Sequence, residues 1–388
     1  MKDLKIFAKT VEPKALEQIN LLLDQKPFEN CKIRIMPDVH AGAGCVIGFT
    51  ANLGDKVIPN IVGVDIGCGM LTVRLGKIDI DFKRLDEVIH RHIPSGRNVK
   101  ENFSHCFLVD NLTCKDHLKN LDHLHASMGT LGGGNHFIEI DADEDGEKYL
   151  VIHTGSRNLG KQVAEHYQDL AIKTTYDQKL EVKNVIERLK SEGREQEIEN
   201  AIKKIKRLKP SIPKDLCYLE GANRNDYICD MRICQQFADY NRVEIARMIC
   251  FEMGWIVKSC FHTRHNYIDY AGMVRKGAIS AHEREPVLIP LNMRDGCIIG
   301  MGLGNDDWNC SAPHGAGRLM SRAKAKAEIP LSEYQYSMSD VFTTSVCSET
   351  LDEAPQAYKP AAEIISCIED TVKIVKIIKP VYNFKAKE

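Results

Sequence analysis

Residues 63–69 read GVDIGCG, a glycine-rich turn in which Asp65 lies three residues before Cys68. The apolar residues Ile61, Val62 and Val64 favour a buried strand that leads into this turn. The glycines let the backbone bend tightly and approach a bound ion or phosphate. We therefore expect the turn to present a carboxylate and a thiol at the end of a strand, and a metal site is the leading hypothesis for this pair.

The composition of the chain gives no sign of a strongly basic, secreted or membrane-spanning protein. The chain has 388 residues, 43% of them apolar, and a net charge of −2 at pH 7, so its overall charge gives no signal for nucleic-acid binding. Its fourteen cysteines include no CxxC pair, its start has no apolar leader segment, and no apolar run is long enough to span a membrane. These features predict a cytoplasmic protein whose cysteines are mostly free and buried.

Apolar runs that alternate with turn residues predict an α/β (α+β) fold. No linker or repeat marks a domain boundary, so we expect one domain over residues 1–388. Strands are predicted within 31–75, 137–140, 149–152 and 286–303. Helices are predicted within 78–126, 230–255 and 361–379, the last followed by a strand. A basic helix is also predicted in HGAGRLMSRAKAKAEI (314–329), after the glycine turn at His314.

A stretch rich in Lys, Glu and Gln covers residues 161–207. Its pattern predicts a charged helical insertion that forms a hairpin with its bend near Gly193. We interpret its charges as a solvated helix face. Contact with an RNA backbone is the alternative interpretation.

Histidines in four separate glycine- or asparagine-rich motifs add to the Asp65 and Cys68 pair. They are His136 in GGGNHFIE, His153 in IHTGSRNLG, His265 in HTRHNYI and His314 in PHGAGR. A single histidine in such a motif is more often a structural residue than a ligand or nucleophile, but the four together indicate a functional site. Aspartate, thiolate and imidazole are the usual donors for Zn, Fe or Mn, and ligand softness alone favours Zn. One shared thiolate would let this set hold two ions.

Three polar side chains near these histidines suit phosphate groups. Asn135 and Asn266 can donate amide hydrogen bonds to phosphate oxygens, and Arg157 offers a planar guanidinium fork. Several common motifs are missing from the sequence, namely the GxxxxGK[ST] loop, a KxDG-type lysine, the HExxH helix and the GxSxG elbow. Nucleotidyl transfer through a lysine therefore has no support.

The motifs resemble those of one family, the RtcB GTP-dependent RNA-splicing ligases. The matching segments, in order along nearly the whole chain, are MPDVHAGAG (36–44), GVDIGCG (63–69), LGGGNHFIE (131–139), HTGSRNLG (153–160), HNY (265–267), RKGAISA (275–281), HGAGRLMSR (314–322) and DEAPQAYK (352–359). The resemblance implies a single-body α/β fold, two Mn²⁺ ions and a covalent histidine–GMP intermediate. It implies a reaction that joins an RNA end bearing a 2′,3′-cyclic phosphate or 3′-phosphate to a 5′-hydroxyl end. An activating partner of the archease type is also compatible with it.

The resemblance assigns a role to individual residues. Cys68 would bridge two ions, with His153 and His265 on one ion and Asp65 and His136 on the other. His314 would be the nucleophile that takes GMP. The residues that match the family's nucleotide site are Asn135, Glu139, His265, Asn266, Pro290, Leu291, Asn292, Met293, Cys297, His314, Gly315, Ala316, Gly317 and Lys385. Within that set, Glu139 and Lys385 would read the base edge, and we expect Lys385 to be exposed. His40 and Arg157 would lie near RNA phosphates.

The chain departs from the family pattern in one segment and at two single residues. Residues 289–294 read IPLNMR where IPGSMG is usual, Cys297 replaces a usual Ser, and Ala43 replaces a usual Lys. The first change adds bulk near the phosphates, the second weakens a hydrogen-bond donor, and the third removes a cation near the RNA path. A divergent RNA-repair branch with a narrower substrate is compatible with these changes.

Two other functions remain open at the level of sequence. A dinuclear metal phosphodiesterase or phosphatase acting on RNA ends would need Asp65, Cys68 and the three histidine ligands, but neither His314 nor Lys385. A non-catalytic RNA-binding protein would need none of these, and the complete ligand set argues against it. The natural RNA also stays open, since tRNA halves, nicked tRNA and damaged ribosomal RNA all fit.

Overall fold

A computed structural model describes residues 3–176, 178–207 and 212–386. Within these residues the chain forms fourteen strands and twelve α-helices, with several short 3-10 turns between them. The strands are β1 (Asp3–Ile6), β2 (Lys32–His40), β3 (Ile47–Asn52), β4 (Gly69–Gly76), β5 (Phe137–Ala142), β6 (Lys148–Thr154), β7 (Ser259–Arg264), β8 (Asn266–Ile268), β9 (Met273–Lys276), β10 (Ala278–Ser280), β11 (Pro286–Asn292), β12 (Gly296–Gly302), β13 (Ser311–Pro313) and β14 (Val372–Lys385). The helices are α1 (Pro13–Leu23), α2 (Pro59–Val62), α3 (Phe82–His92), α4 (Phe107–Asp110), α5 (Leu121–Ala126), α6 (Arg157–Tyr176), α7 (Gln178–Ser191), α8 (Ile198–Arg207), α9 (Gly221–Met253), α10 (Arg322–Glu328), α11 (Leu331–Ser337) and α12 (Ala361–Cys367).

A seven-stranded sheet occupies the centre, with the strand order β11-β12-β14-β5-β6-β4-β7 and antiparallel pairing throughout. A five-stranded sheet has the order β1-β2-β3-β9-β8, and β10 pairs with β13. Helices flank these sheets, and α9 packs against β4 and β6. The predicted α/β fold, with central sheets flanked by helices, is confirmed.

The two faces of the central sheet differ, as the period of two along a strand requires. On one face, Ile138 and Ile140 of β5 and Leu150 and Ile152 of β6 pack in an apolar core with residues of α3 and α9. On the opposite face the same strands carry Phe137, Tyr149 and Val151 in a separate apolar cluster with Met70, Leu288, Cys297 and Ile378. That second face lies beside the candidate site.

The predicted strand before GVDIGCG is wrong. Residues Pro59–Val62 form a short helix, and Val64 is half exposed rather than buried. Pro59 lies at the start of this helix, where its fixed φ and missing N–H are favourable, and Gly63 ends it with a φ of 94°. The strand instead follows the turn, because β4 begins at Gly69.

Two helix predictions are also wrong in part. Residues 78–126 contain three short helices (α3, α4 and α5) separated by irregular segments. The helix that begins at Ala361 ends at Cys367, and residues from Val372 onward form β14. Five of the eight residues from Val372 to Lys379 are Val or Ile, and such β-branched residues favour a strand over a helix.

The charged segment is helical, as predicted. Helices α7 and α8 contact each other, and Gly193 lies between them with a φ of 69°. Asp177, within this segment, lies outside the described residues. None of the helices in the described part of the chain is both long and apolar enough to cross a membrane.

Candidate active site

Five side chains of the predicted metal set converge at one end of the central sheet. Asp65 and Cys68 lie in the turn before β4, His136 comes directly before β5, and His153 lies near the end of β6. His265 lies between β7 and β8. The pairing of β6 with both neighbours explains the convergence, because His153 is opposite Met70 on β4 and Phe137 on β5.

The five residues form two triplets that share Cys68. In each triplet, Cys68 with His153 and His265 or Cys68 with Asp65 and His136, one potential ligand atom from each residue lies within 4.8 Å of the other two. The Sγ atom of Cys68 is 3.3 Å from Nε2 of His153 and 3.6 Å from Nε2 of His136. Nε2 of His136 is in turn 3.0 Å from Oδ2 of Asp65.

Backbone carbonyls orient two of the imidazole rings. Nδ1 of His136 lies 2.9 Å from the oxygen of Leu131, and Nδ1 of His153 lies 3.1 Å from the oxygen of Asn135. A ring whose Nδ1–H donates to a carbonyl keeps the lone pair of Nε2 for a ligand, and this is the usual arrangement of metal-binding histidines.

The donor set fits two transition-metal ions. Burial holds the pKa of His153 and of His265 well below the ordinary histidine value, which keeps both rings neutral and able to ligate. Nδ1 of His265 is buried without a hydrogen-bond partner among the described residues. Carboxylate, thiolate and imidazole together suit a transition metal better than Mg²⁺ or Ca²⁺.

His314 lies in a loop after β13 and is held by a buried carboxylate. Its Nδ1 is 2.6 Å from Oδ2 of Asp38, and the backbone N–H groups of His314 and Gly315 donate to the same oxygen at 3.1 and 3.3 Å. Asp38 is fully buried on β2. Its hydrogen bond places the proton on Nδ1 and leaves the lone pair of Nε2 available. The ring of His314 is 4.9 Å from that of His265, measured between centroids.

Asp38 was not identified from the sequence, although it lies in the MPDVHAGAG segment two residues before His40. An aspartate within an apolar strand was the available signal, since such a group needs a partner when it is buried. His40 itself lies in the same region, with Nδ1 2.9 Å from the backbone oxygen of Asp38.

A cavity of about 200 Å³ adjoins His314. The predicted site residues that line it are His40, Asn135, Glu139, His153, His265, Pro290, Leu291, Asn292, Met293, Cys297, His314, Gly315, Ala316, Gly317 and Lys385. The cavity therefore brings together the candidate nucleophile, two of the metal-type histidines and most of the predicted nucleotide site.

Two of the residues predicted to contact nucleotide or RNA phosphates lie outside the cavity. Asn266 donates from Nδ2 to the backbone oxygen of Asp65 at 3.2 Å, and its Oδ1 accepts from the N–H of Gly277, so its amide holds the GVDIGCG turn in place. Arg157 donates to Oγ1 of Thr130 at 3.1 Å and to the oxygen of Gly96 at 2.9 Å. Neither side chain is among those that line the cavity.

The expectation that Lys385 is exposed is wrong. Lys385 ends β14, next to β5 in the central sheet, and it is 4% exposed. Its Nζ lies 2.6 Å from Oε2 of Glu353, which is also buried. Burial alone would raise the pKa of Glu353, but the charges of Lys385, Arg322 and Arg318 outweigh burial and lower that pKa to about 2. Glu353 was missed although it lies in the quoted DEAPQAYK motif.

The altered 290–293 segment forms part of a hairpin between β11 and β12, with an irregularity between Pro290 and Asn292. Leu291 and Met293 are buried in apolar clusters at 3% and 5% exposure. The side chain of Asn292 bonds Asp295 and the backbone of the turn. Of the substituted side chains, Leu291 therefore contributes to packing and Asn292 to turn formation at the edge of the cavity.

Comparisons with known proteins agree with these motifs. The family model described as tRNA-splicing ligase RtcB matches residues 23–114 and 108–386. The chain is 29% identical to the RNA-splicing ligase RtcB of Escherichia coli K12 over 428 aligned residues, which cover 98% of this chain and 97% of the relative. It is 28% identical, with the same coverage, to RNA-splicing ligase RtcB1 of Escherichia coli ATCC 25922. It is 24% identical to the tRNA-splicing ligase RtcB of Aeropyrum pernix over 84% of this chain and 81% of the relative.

Proposed function

The chain belongs to the RtcB family of tRNA-splicing ligases, and from this premise we propose that it is a GTP- and Mn²⁺-dependent RNA ligase. It joins an RNA 3′-phosphate or 2′,3′-cyclic phosphate end to a 5′-hydroxyl end in tRNA splicing or RNA repair. The observation that carries the proposal is the placement of His314, oriented by Asp38, beside a cavity that two of the metal-type histidines also line.

The metal site is proposed to hold two Mn²⁺ ions. Cys68 would bridge them, His153 and His265 would complete one ligand set, and Asp65 and His136 the other. When bound, the ions supply Lewis-acid neutralisation of phosphate charge and lower the pKa of a nearby hydroxyl. The unpartnered Nδ1 of His265 and the carbonyl-oriented rings of His136 and His153 support this assignment.

His314 acts as the nucleophile in the first step. The lone pair of Nε2 attacks the α-phosphorus of GTP, an N–P bond forms, and the bond to pyrophosphate breaks. The ring becomes positively charged as this bond forms, and the Asp38 carboxylate at Nδ1 stabilises that charge. Asp38 therefore holds both the tautomer and the orientation that the attack requires.

Two transfers complete the reaction. An oxygen of the RNA 3′-phosphate attacks the phosphorus of the histidine adduct, which frees His314 and leaves GMP on the RNA end. The 5′-hydroxyl of the second RNA then attacks the 3′-phosphorus, forming the phosphodiester and releasing GMP. A cyclic phosphate end would first be opened by water in the same site.

Nucleotide binding is assigned to the cavity beside His314. Glu139 and Lys385 are proposed to contact the guanine edge, and Gly315 to Gly317 allow close approach of the phosphates because they carry small side chains or none. Glu353 fixes Lys385 through their 2.6 Å ion pair, so the lysine enters the site already oriented.

The test is formation of a GMP adduct. The protein is incubated with labelled GTP and Mn²⁺, denatured and separated by electrophoresis. We expect an acid-labile, alkali-stable adduct that His314→Ala abolishes and that the control His282→Ala, at an exposed histidine, retains. If the wild-type protein forms no adduct at any metal concentration but still releases phosphate from RNA ends, the proposal is wrong and the metal phosphodiesterase is correct.

The remaining assignments rest on the same premise. We propose that residues 1–388 act as one catalytic domain in the cytoplasm, that residues 161–207 are an insertion within it, and that RNA is its macromolecular substrate. His40 borders the cavity and is the better placed of the two residues suggested for RNA phosphates, because the guanidinium of Arg157 is occupied by Thr130 and Gly96.

A further inference from the structure

Asp141 is a fully buried carboxylate next to the proposed base-binding residue. It lies on β5 two residues after Glu139, so both side chains point to the same face of the central sheet. Asp141 is 0% exposed, and neither of its carboxylate oxygens has a hydrogen-bond partner among the described residues. An ionised carboxylate that is buried without a partner would cost folding free energy on the order of the desolvation penalty of an ion, so we asked whether Asp141 is ionised at all.

Among the residues that the structure describes, none supplies a positive charge paired with Asp141. The apolar cluster on this face includes Tyr149, Val151 and Ile378. The hydroxyl of Tyr149 is directed to Asp143 and Glu147, away from Asp141. The ionisable or polar groups that face Asp141 and Glu139 are Glu139 itself on β5, Cys297 on β12, and Asn383 and Lys385 on β14.

Each of these groups is either neutral or already engaged. The amide of Asn383 donates from Nδ2 to Oε2 of Glu139 at 2.6 Å, and Lys385 is paired with Glu353. Burial raises the pKa of the Cys297 thiol well above its ordinary value, so Cys297 stays uncharged. One oxygen or sulfur atom each from Glu139, Asp141 and Cys297 lies within 4.8 Å of the others.

Two carboxylates this close in an apolar environment cannot both stay ionised without a cation. Burial raises the pKa of Glu139, and burial followed by the charge of Glu139 raises the pKa of Asp141 well above its ordinary value. The pair is therefore expected to keep one proton at neutral pH. Glu139 accepts a hydrogen bond from Asn383 whereas neither oxygen of Asp141 has a donor among the described residues, so the proton belongs mainly to Asp141.

We propose that Asp141 holds a proton that it donates to Glu139, so that the pair carries one negative charge and presents Glu139 as an ionised hydrogen-bond acceptor to the nucleotide base. This inference rests on the proposed binding of GTP in the cavity. Guanine offers two donors on its Watson–Crick edge, N1–H and the exocyclic amine, and both suit an ionised carboxylate. Asp141 does not line the cavity, so it is a positioning residue that acts through Glu139.

The shared proton can be measured directly. The C=O stretch of a protonated carboxyl is recorded by infrared spectroscopy near neutral pH for the wild-type protein, Asp141→Asn and Asp143→Asn. Asp143 is a suitable control because it lies two residues further along and is ion-paired with Lys376 at 2.7 Å. We expect the band in the wild type and in Asp143→Asn and its loss in Asp141→Asn. Absence of the band from the wild type, or its persistence in Asp141→Asn, overturns the proposal.

The effect on nucleotide binding is tested by GTP affinity and thermal melting, both measured in a His314→Ala background that prevents covalent turnover. Asp141→Asn keeps a donor for Glu139 and should hold the affinity within about threefold of the parent. Asp141→Leu removes the donor and should weaken GTP binding by about tenfold or more, without lowering the melting temperature, because its surroundings are apolar. If Asp141 had a purely structural role, Asp141→Leu would lower the melting temperature instead. Equal GTP affinities for Asp141→Asn and Asp141→Leu would contradict the proposal.

A bound cation is the competing explanation for the buried pair. Metal analysis of the purified protein distinguishes it, since a third ion per chain that is lost in Asp141→Asn overturns the shared proton. Failure of the proposed function has a different signature. The wild-type protein would then bind no GTP, while the infrared band would still report the proton on Asp141.

Discussion

The Nδ1 atom of His314 lies 2.6 Å from Oδ2 of Asp38, although the two residues are 276 positions apart in the chain. Asp38 is fully buried, and its second oxygen has no hydrogen-bond partner among the described residues. The imidazole of His314 is therefore the main side chain that offsets the cost of burying this carboxylate. The pair joins β2 of the five-stranded sheet to the loop after β13. The position and orientation of the His314 ring therefore depend on how these two parts of the molecule pack.

Replacing Asp38 by Asn should slow GMP-adduct formation by ~100-fold, because an amide can no longer stabilise the charged ring. GTP affinity should change much less, since Asp38 does not line the cavity. Rapid-quench measurement of adduct formation, with titration calorimetry for GTP, separates the two quantities. The exposed Asp55→Asn serves as the control, and an unchanged rate in Asp38→Asn would show that the pair is only structural.

Cys68 should differ from every other ligand in its effect on metal content, because it alone belongs to both triplets. Elemental analysis after gel filtration in Mn²⁺ should give two ions for the wild type, about one for His265→Ala, and fewer for Cys68→Ala. Cys45→Ala, at another buried cysteine, should retain both ions. Equal metal content in the Cys68 and His265 variants would rule out the bridging role.

Glu353 should make stability depend on pH in the acid range. Its pKa is lowered to about 2, so its stabilising contribution is present above the pKa of an unfolded glutamate and is lost as the pH falls toward 2. Glu353→Gln should lose about 3–5 kcal/mol of unfolding free energy at pH 7, because it leaves Lys385 buried without its partner. Urea unfolding at pH 7 and pH 3 should show a smaller difference between the variant and the wild type at the lower pH.

Lys385→Ala should reduce both GTP binding and thermal stability. The lysine is buried and paired, so its removal takes one positive charge from Glu353. Arg318 and Arg322, with nitrogens at 3.3 Å, and the hydroxyl of Tyr358 remain as its partners. A Lys379→Ala variant on the same strand, at an exposed position, should change neither quantity. A melting temperature for Lys385→Ala equal to that of the wild type would contradict the importance of this ion pair.

The hairpin of α7 and α8 should be dispensable for guanylylation, since none of its described residues lines the cavity. The hydroxyl of Tyr176, just before the hairpin, donates to the backbone oxygen of Ile212, just after it, at 2.9 Å. Because these flanking residues lie close together, the segment between them can be removed. Residues 177–211 would be replaced by a short glycine linker. We expect a full yield of GMP adduct, and a loss of adduct from a folded deletion variant would assign the hairpin a catalytic role.

The sequence was sufficient to find the metal-type residues because each lies in a distinctive local motif. It was not sufficient to find Asp38, Glu353 or Asp141, because each acts through a side chain or an apolar environment that the tertiary fold supplies. Local pattern also fails at two elements. Lysines recur every third residue in the run from Val372, which is close to a helical spacing, but this run forms a strand. The run from Pro59 is apolar like a buried strand, but it forms a short helix. Exposure of Lys385 was misjudged because a position near the end of a chain does not reveal that its strand is central.

The place of β14 in the central sheet has a consequence for biosynthesis. This strand lies between β12 and β5, which are both translated before it, and it carries Asn383 and Lys385 into the cavity. A nascent chain that stops before Val372 would have its main sheet divided into two parts and its proposed nucleotide site incomplete. Ribosome-bound chains arrested at that point should bind no GTP, so we expect the capacity to form the GMP adduct to arise only when β14 has left the ribosome.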